Sequence, residues 1–138
     1  MYHVNEFAGK EWTVICSSKP PPFDVTGMYL LWSSDRDRLL EIARAEIGSG
    51  AFYEGRLSAV PGRKPAEHVL CLFAPDGSQK VALAHRVGES GGGITYLYWR
   101  DGTALPARRE LDVTGLIGDG GDGPEAAAGP ESAVPGNN

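Results

Sequence analysis

The sequence predicts an α+β domain, an antiparallel or mixed sheet with two helices packed on one face. Three observations carry this. Five short stretches rich in apolar, β-branched and aromatic residues are spread over the first hundred positions, and two stretches show helical periodicity. They follow one another as β-β-α-β-β-α-β, too few helices for a parallel α/β sheet. Glycine and proline clusters separate them.

Glu11 to Cys16 reads as the first strand, and Ser17-Ser18-Lys19-Pro20-Pro21-Pro22 ends it, because consecutive prolines remove donors and hold an extended path. Met28 to Trp32 is a strongly apolar second strand after Gly27. Ser34 is placed to cap a helix whose Leu39, Leu40, Ala43 and Ile47 share a face, and Gly48-Ser49-Gly50 ends it. Arg56 to Val60 alternates as a half-buried strand, followed by the basic loop Pro61 to Pro65. His68 to Ala74 is apolar on both faces, hence a central strand. Ser78 is placed to cap a second helix with Val81, Ala84 and Val87 toward the core. Gly88 to Gly93 reads as a flexible break before the last strand, Ile94 to Trp99.

The 138 residues suit one domain, taken as 1–118. From Asp119 the composition changes to Gly, Pro, Ala and acids with no base or aromatic, so 119–138 reads as a disordered acidic tail. Four of its residues are acidic, which leaves the body of the chain near neutrality out of a net charge of −5. A general nucleic-acid binder held by an overall positive field is therefore disfavoured. No apolar run approaches the roughly 18 residues needed to cross a bilayer, and no N-terminal stretch has the pattern of a leader, so a cytoplasmic protein is expected. Cys16 and Cys71 both sit in apolar runs and read as buried thiols, with a disulfide between strands as the alternative.

Neither a P-loop, a Rossmann fingerprint, a zinc motif nor a nucleophile elbow is present, so neither metal nor cofactor is expected. Bases near strand ends remain. Arg56 and Arg100, with Arg86, are the candidates for phosphate binding, because an arginine on a rigid strand offers a planar fork to an anion. Lys19 and Lys80 are the candidate general bases, and His68 and His85 the candidate acids, should any elimination chemistry be present. Trp12, Trp32, Trp99, Tyr29, Tyr96 and Tyr98 could stack on a base, or simply fill a core.

The order of landmarks resembles the basophilic-leukemia-expressed protein family, whose bacterial members are described as a phosphothreonine lyase domain. The matching stretches are Thr26 to Trp32, Ser34 to Gly50, Gly55-Arg56-Leu57-Ser58, His68 to Phe73 and Tyr98 to Thr103. The resemblance implies a fold similar to the cap-binding translation initiation factor 4E, with a curved antiparallel sheet. Where the family shows lysine, this chain has Met28, Arg56 and Trp99. Arginine keeps the charge but is a poor base, and the other two cannot take a proton. The sequence thus points to a non-catalytic module for a phosphorylated peptide or nucleotide. The alternatives are a phosphoserine or phosphothreonine lyase-like enzyme, and a structural subunit that meets a partner protein through Pro20 to Pro22 or its aromatics.

Overall fold

In the computed structural model, which describes residues 2–61 and 66–106, six strands form one sheet in the order β1-β2-β4-β5-β3-β6. The strands are β1 (Val4–Ala8), β2 (Trp12–Ser17), β3 (Gly27–Ser33), β4 (Glu54–Ser58), β5 (His68–Ala74) and β6 (Tyr96–Asp101). The helices are α1 (Arg36–Gly48) and α2 (Lys80–Glu89). Every strand pairing is antiparallel, so the expected α+β class holds with its antiparallel option. The basic loop at Arg63 and Lys64 and the acidic tail from Asp119 lie outside the described residues.

Pleating sorts the strand residues into two cores. Ile15, Tyr29, Leu31, Leu57, Leu70 and Leu72 point to one face, where they meet Leu39, Ile42, Ala43 and Ile47 of α1 and Leu83 and Val87 of α2. Both helices therefore cover the same face, as expected. Met28, Leu30, Trp32, Val69 and Cys71 point to the other and are covered by Trp12, Phe73, Tyr96, Tyr98 and Leu105. All seven residues of β3 are buried, and β5 beside it is the central strand anticipated from its two apolar faces. Gly27 is required where β3 meets β6: a Cβ there would lie 2.5 Å from the Arg100 carbonyl oxygen and 2.5 Å from the Trp99 ring.

Several boundaries differ from the expectation, each for a local reason. β1 lacks apolar alternation and leaves Phe7 59% exposed. It forms by pairing with β2, the Tyr2 amide donates to the Gly48 carbonyl at 2.8 Å, and Glu6 pairs with Arg44 of α1. β4 begins two residues early and stops at Ser58, whose carbonyl leaves the ladder to accept from Arg36 Nε at 3.1 Å and lies 3.0 Å from His68 Nδ1. β6 is shifted two residues the other way, from Tyr96 to Asp101, because its ladder with β3 runs from Trp32 opposite Tyr96 to Gly27 opposite Asp101. Asp35, not Ser34, caps α1, its carboxylate accepting from the Arg38 amide at 3.1 Å beside the positive end of the helix. Ser78 does not cap α2, since its own amide closes a turn on Asp76 Oδ1 at 2.9 Å. The buried Tyr29 hydroxyl replaces it, accepting from the Gln79 amide at 2.7 Å and donating to the Asp76 carbonyl at 3.1 Å. In α2 the face turns accordingly: Leu83 and Val87 are buried, whereas Val81 is 81% exposed and Ala84 is also exposed.

The glycine run after α2 is tied to α1 through Arg38. Arg38 Nε donates to the Gly92 carbonyl at 2.7 Å, and Nη2 to the Val87 carbonyl at 3.1 Å and Ser90 Oγ at 2.9 Å. A guanidinium there meets the carbonyls that a helix C-terminus leaves unpaired.

Both cysteines are free, Cys71 fully buried and Cys16 half-buried, so only one matches the expected pair of buried thiols. Burial pushes the Cys71 thiol up to about 12, so at pH 8 almost none of it is thiolate. Native protein treated with a thiol reagent at pH 8 should label at Cys16 and reach Cys71 only in denaturant. Rapid native labelling of Cys71 would show that β5 is not the central strand.

Candidate functional site

The second face of the sheet, away from the helices, carries the candidate site. Alternate residues of β4 point there, so Glu54, Arg56 and Ser58 stand in line opposite Cys16, Val14 and Trp12 of β2. Arg56 also faces Cys71 across β5, and Arg100 faces Met28 across β3. Beside β4 lies a cleft of about 280 Å³ lined by Pro21, Phe23, Val25, Tyr53, Glu54, Arg56, Phe73 and Thr103. Its volume is at the small end of the range for small-molecule sites, and its lining is of the usual kind, apolar and aromatic walls with a few convergent polar groups.

Two contacts position the Arg56 guanidinium. Its Nε donates to Glu54 Oε2 at 3.0 Å and its Nη2 to the same oxygen at 2.5 Å. Its carbon lies over the Phe73 ring, 6.0 Å from the centroid. Tyr53 is fixed in the cleft wall, T-shaped against Phe23 with centroids 5.7 Å apart and tilted against Tyr2 at 6.1 Å. Desolvation, with the neighbouring Tyr2 as a smaller cause, raises the Tyr53 phenol above its ordinary range, so it stays protonated and able to donate at neutral pH.

The sheet brings Arg56 and Arg100 to the same face and separates Arg86 from them. Arg56 and Arg100 are three strand spacings apart, about 14 Å along the hydrogen-bonding direction. Both guanidiniums act on the Cys71 thiol between them and offset part of the rise that burial causes, so the two cations flank a shared apolar floor. Arg86 belongs to α2 in the helical layer. There Nε and Nη2 hold both oxygens of Glu46 at 2.7–3.2 Å, and Glu46 is only 6% exposed. Arg86 thus stands apart from the other two phosphate candidates and neutralises a buried carboxylate of α1.

The candidate acids and bases do not converge, and none of them lines the cleft. Lys19 is exposed, its Nζ 5.3 Å from the Tyr2 ring centroid. Lys80 opens α2 on the other face of the sheet. His85 is exposed on α2, 3.3 Å from Glu89 one turn on. His68 is half-buried against Ser58, and desolvation lowers its pKa, an effect the Ser58 carbonyl opposes and the Arg36 charge assists. Of the three positions where the resemblance places lysine, Met28 is fully buried and Trp99 packs on Tyr29 at 4.9 Å. Arg56 is the one that reaches the cleft. Among the described residues no group of three or more His, Cys, Asp or Glu is placed to hold a metal ion, and no helix is long and apolar enough to cross a membrane.

No family model and no solved structure matches the chain. Two curated adenine deaminases, from Ruegeria pomeroyi and from Ruegeria sp. strain TM1040, are 38% and 37% identical to it over 71 residues. That stretch is 51% of this chain and 11% of each deaminase, so the chain spans about a tenth of the relatives it matches. A likeness of that extent carries no activity over.

Sequence reasoning found Arg56 and missed the rest of the cleft. The available signal was the spacing Glu54-Gly55-Arg56, which on a strand puts two opposite charges side by side on one face. Pro21, Phe23 and Val25 come from a connector without periodicity, and Thr103 from the turn after β6, so their meeting is a tertiary fact.

Removing Arg86 leaves the Glu46 carboxylate buried without its cation. Arg86→Ala should therefore destabilise the domain by about 1–3 kcal/mol, read from the denaturation midpoint, and leave phosphate-ligand affinity unchanged. Weakened binding with an unchanged midpoint would put Arg86 back among the ligand-binding residues.

Proposed function

We propose that the chain is a small non-catalytic binding module that takes a phosphorylated ligand, a phosphopeptide or a nucleotide, in the cleft beside Arg56. The observation that supports this most is the placement of that one guanidinium in an aromatic-walled cleft, held by Glu54 and Phe73. A planar fork on a rigid strand suits a phosphate, and the Phe23, Tyr53 and Phe73 rings suit the body that carries it. The dispersal of Lys19, Lys80, His68 and His85 favours binding over elimination, because a proton-transfer group must lie within hydrogen-bond reach of the reacting atom. Arg100, across the apolar floor, would meet a second anionic group of an extended ligand. This reading agrees with the function that the family resemblance implies once its lysines are lost. Two unpaired cysteines are the state a reducing compartment maintains, so we place the module in the cytoplasm.

The test is a titration of wild type, Arg56→Ala and Arg56→Lys with a nucleoside monophosphate and with a phosphopeptide. A charged hydrogen bond to phosphate contributes about 1.5–3 kcal/mol, so Arg56→Ala should weaken binding about 10- to 150-fold. Arg56→Lys should recover part of that, since it keeps the charge and loses the fork. Wild type that binds neither ligand, or Arg56→Ala that binds as well as wild type, would overturn the reading.

A further inference from the structure

We propose that Glu54 is the selectivity element of the cleft, which admits anions that bring a hydrogen-bond donor beside the charge and discriminates against anions that bring acceptors only. The inference rests on the reading of the cleft as an anion site and deepens it by naming the ligand chemistry.

Both bonds from Arg56 fall on one carboxylate oxygen, Oε2. Among the described residues no hydrogen bond is made to Oε1. The guanidinium has five N–H donors, of which two are engaged by Glu54. One wall of the cleft therefore presents guanidinium donors and a carboxylate acceptor next to each other, on alternate residues of the same strand face. The two charges balance, and the remaining walls are apolar apart from the Tyr53 and Thr103 hydroxyls.

An anion that binds Arg56 comes close to the Glu54 carboxylate. Like charges at that range repel, and the pair is only partly screened, with the two side chains 31% and 38% exposed. A phosphate with no donor nearby reaches the remaining guanidinium donors only against that repulsion, with nothing to offset it. A phosphate with an ammonium, amide or hydroxyl group a few bonds away satisfies both at once: the anion takes the remaining guanidinium donors and the donor takes the carboxylate. Phe73 flanks the guanidinium, its ring centroid 6.0 Å from the guanidinium carbon. The class that fits is a small amphoteric phosphate, or a carboxylate with the same neighbouring donor.

A matched pair of probes isolates the effect. O-Phosphoethanolamine and ethyl phosphate share a two-carbon body and a phosphate, and differ in the ammonium. Amide chemical-shift titrations of wild type, Glu54→Gln and Glu54→Thr measure both affinities, and Arg56→Ala serves as the control for the anion site. Wild type should prefer O-phosphoethanolamine by about tenfold, one charge-assisted hydrogen bond. In both Glu54 variants the preference should collapse toward unity, with ethyl phosphate binding more tightly than it does to wild type. A preference that survives in both folded variants, or a wild type that favours ethyl phosphate, overturns the selectivity role; the anion site itself then stands if Arg56→Ala loses both probes. Wild type that binds neither probe overturns this inference and the anion reading together.

Discussion

The constraint on which the rest depends is the burial of β3 on both faces. All seven of its residues are withdrawn from water, and β5 beside it is nearly as deeply buried. A strand of that kind needs a layer on each side. The helices form one, through Leu39, Ile42, Ala43 and Ile47 of α1 and Leu83 and Val87 of α2. On the other side the cover is a set of half-buried aromatics on neighbouring strands, with Leu105 from the chain after β6. Arg56 and Arg100 complete it, since arginine can lay an apolar stem over such a floor and keep its charge at the surface. The two cations on this face thus lie beside the core that β3 and β5 present there.

Arginine has a different task in each layer. Arg36 joins the start of α1 to Thr13 of β2 and Ser58 of β4, Arg38 closes the C-terminal turn of α2, Arg44 holds β1, and Arg86 neutralises Glu46. These four tie the helical layer to itself and to the sheet. Arg56 is paired as well, but to an exposed neighbour on its own strand rather than to another element. That contact ties no second element to the sheet. The same sorting explains the positions where the resemblance places lysine: Met28 and Trp99 fill core sites, and Arg56 alone keeps a charge in reach of solvent.

The architecture was legible where pattern and burial coincide. β5 and the apolar body of β3 could be read because burial on both faces leaves no polar residue inside them, and α1 because its apolar residues recur on one helical face. β1 was not legible, since a strand made by edge pairing and held by Glu6–Arg44 needs no apolar alternation. Nor was the capping of α2, where the donor's partner is a tyrosine fifty residues earlier in the chain. In the site, Arg56 could be singled out from its charge on a strand. The cleft around it could not, because Phe23, Val25 and Thr103 reach it from irregular segments whose meeting no local pattern encodes. For Arg86 the residue type suggested a ligand site, and only the third dimension reveals the buried carboxylate it pairs with.

The proposed ligand site, on the second face of the sheet around Arg56, can be mapped in solution. The most direct measurement is a map of amide chemical-shift changes on addition of a nucleoside monophosphate, whose base, anion and hydroxyl groups match the walls, the guanidinium and the carboxylate of the cleft. A ligand in the cleft should give one contiguous patch over Phe23 to Val25, Tyr53 to Arg56 and Phe73, fading toward α2. Shifts centred on His85 and Lys80 of the helical layer, or scattered over all exposed bases alike, would contradict it.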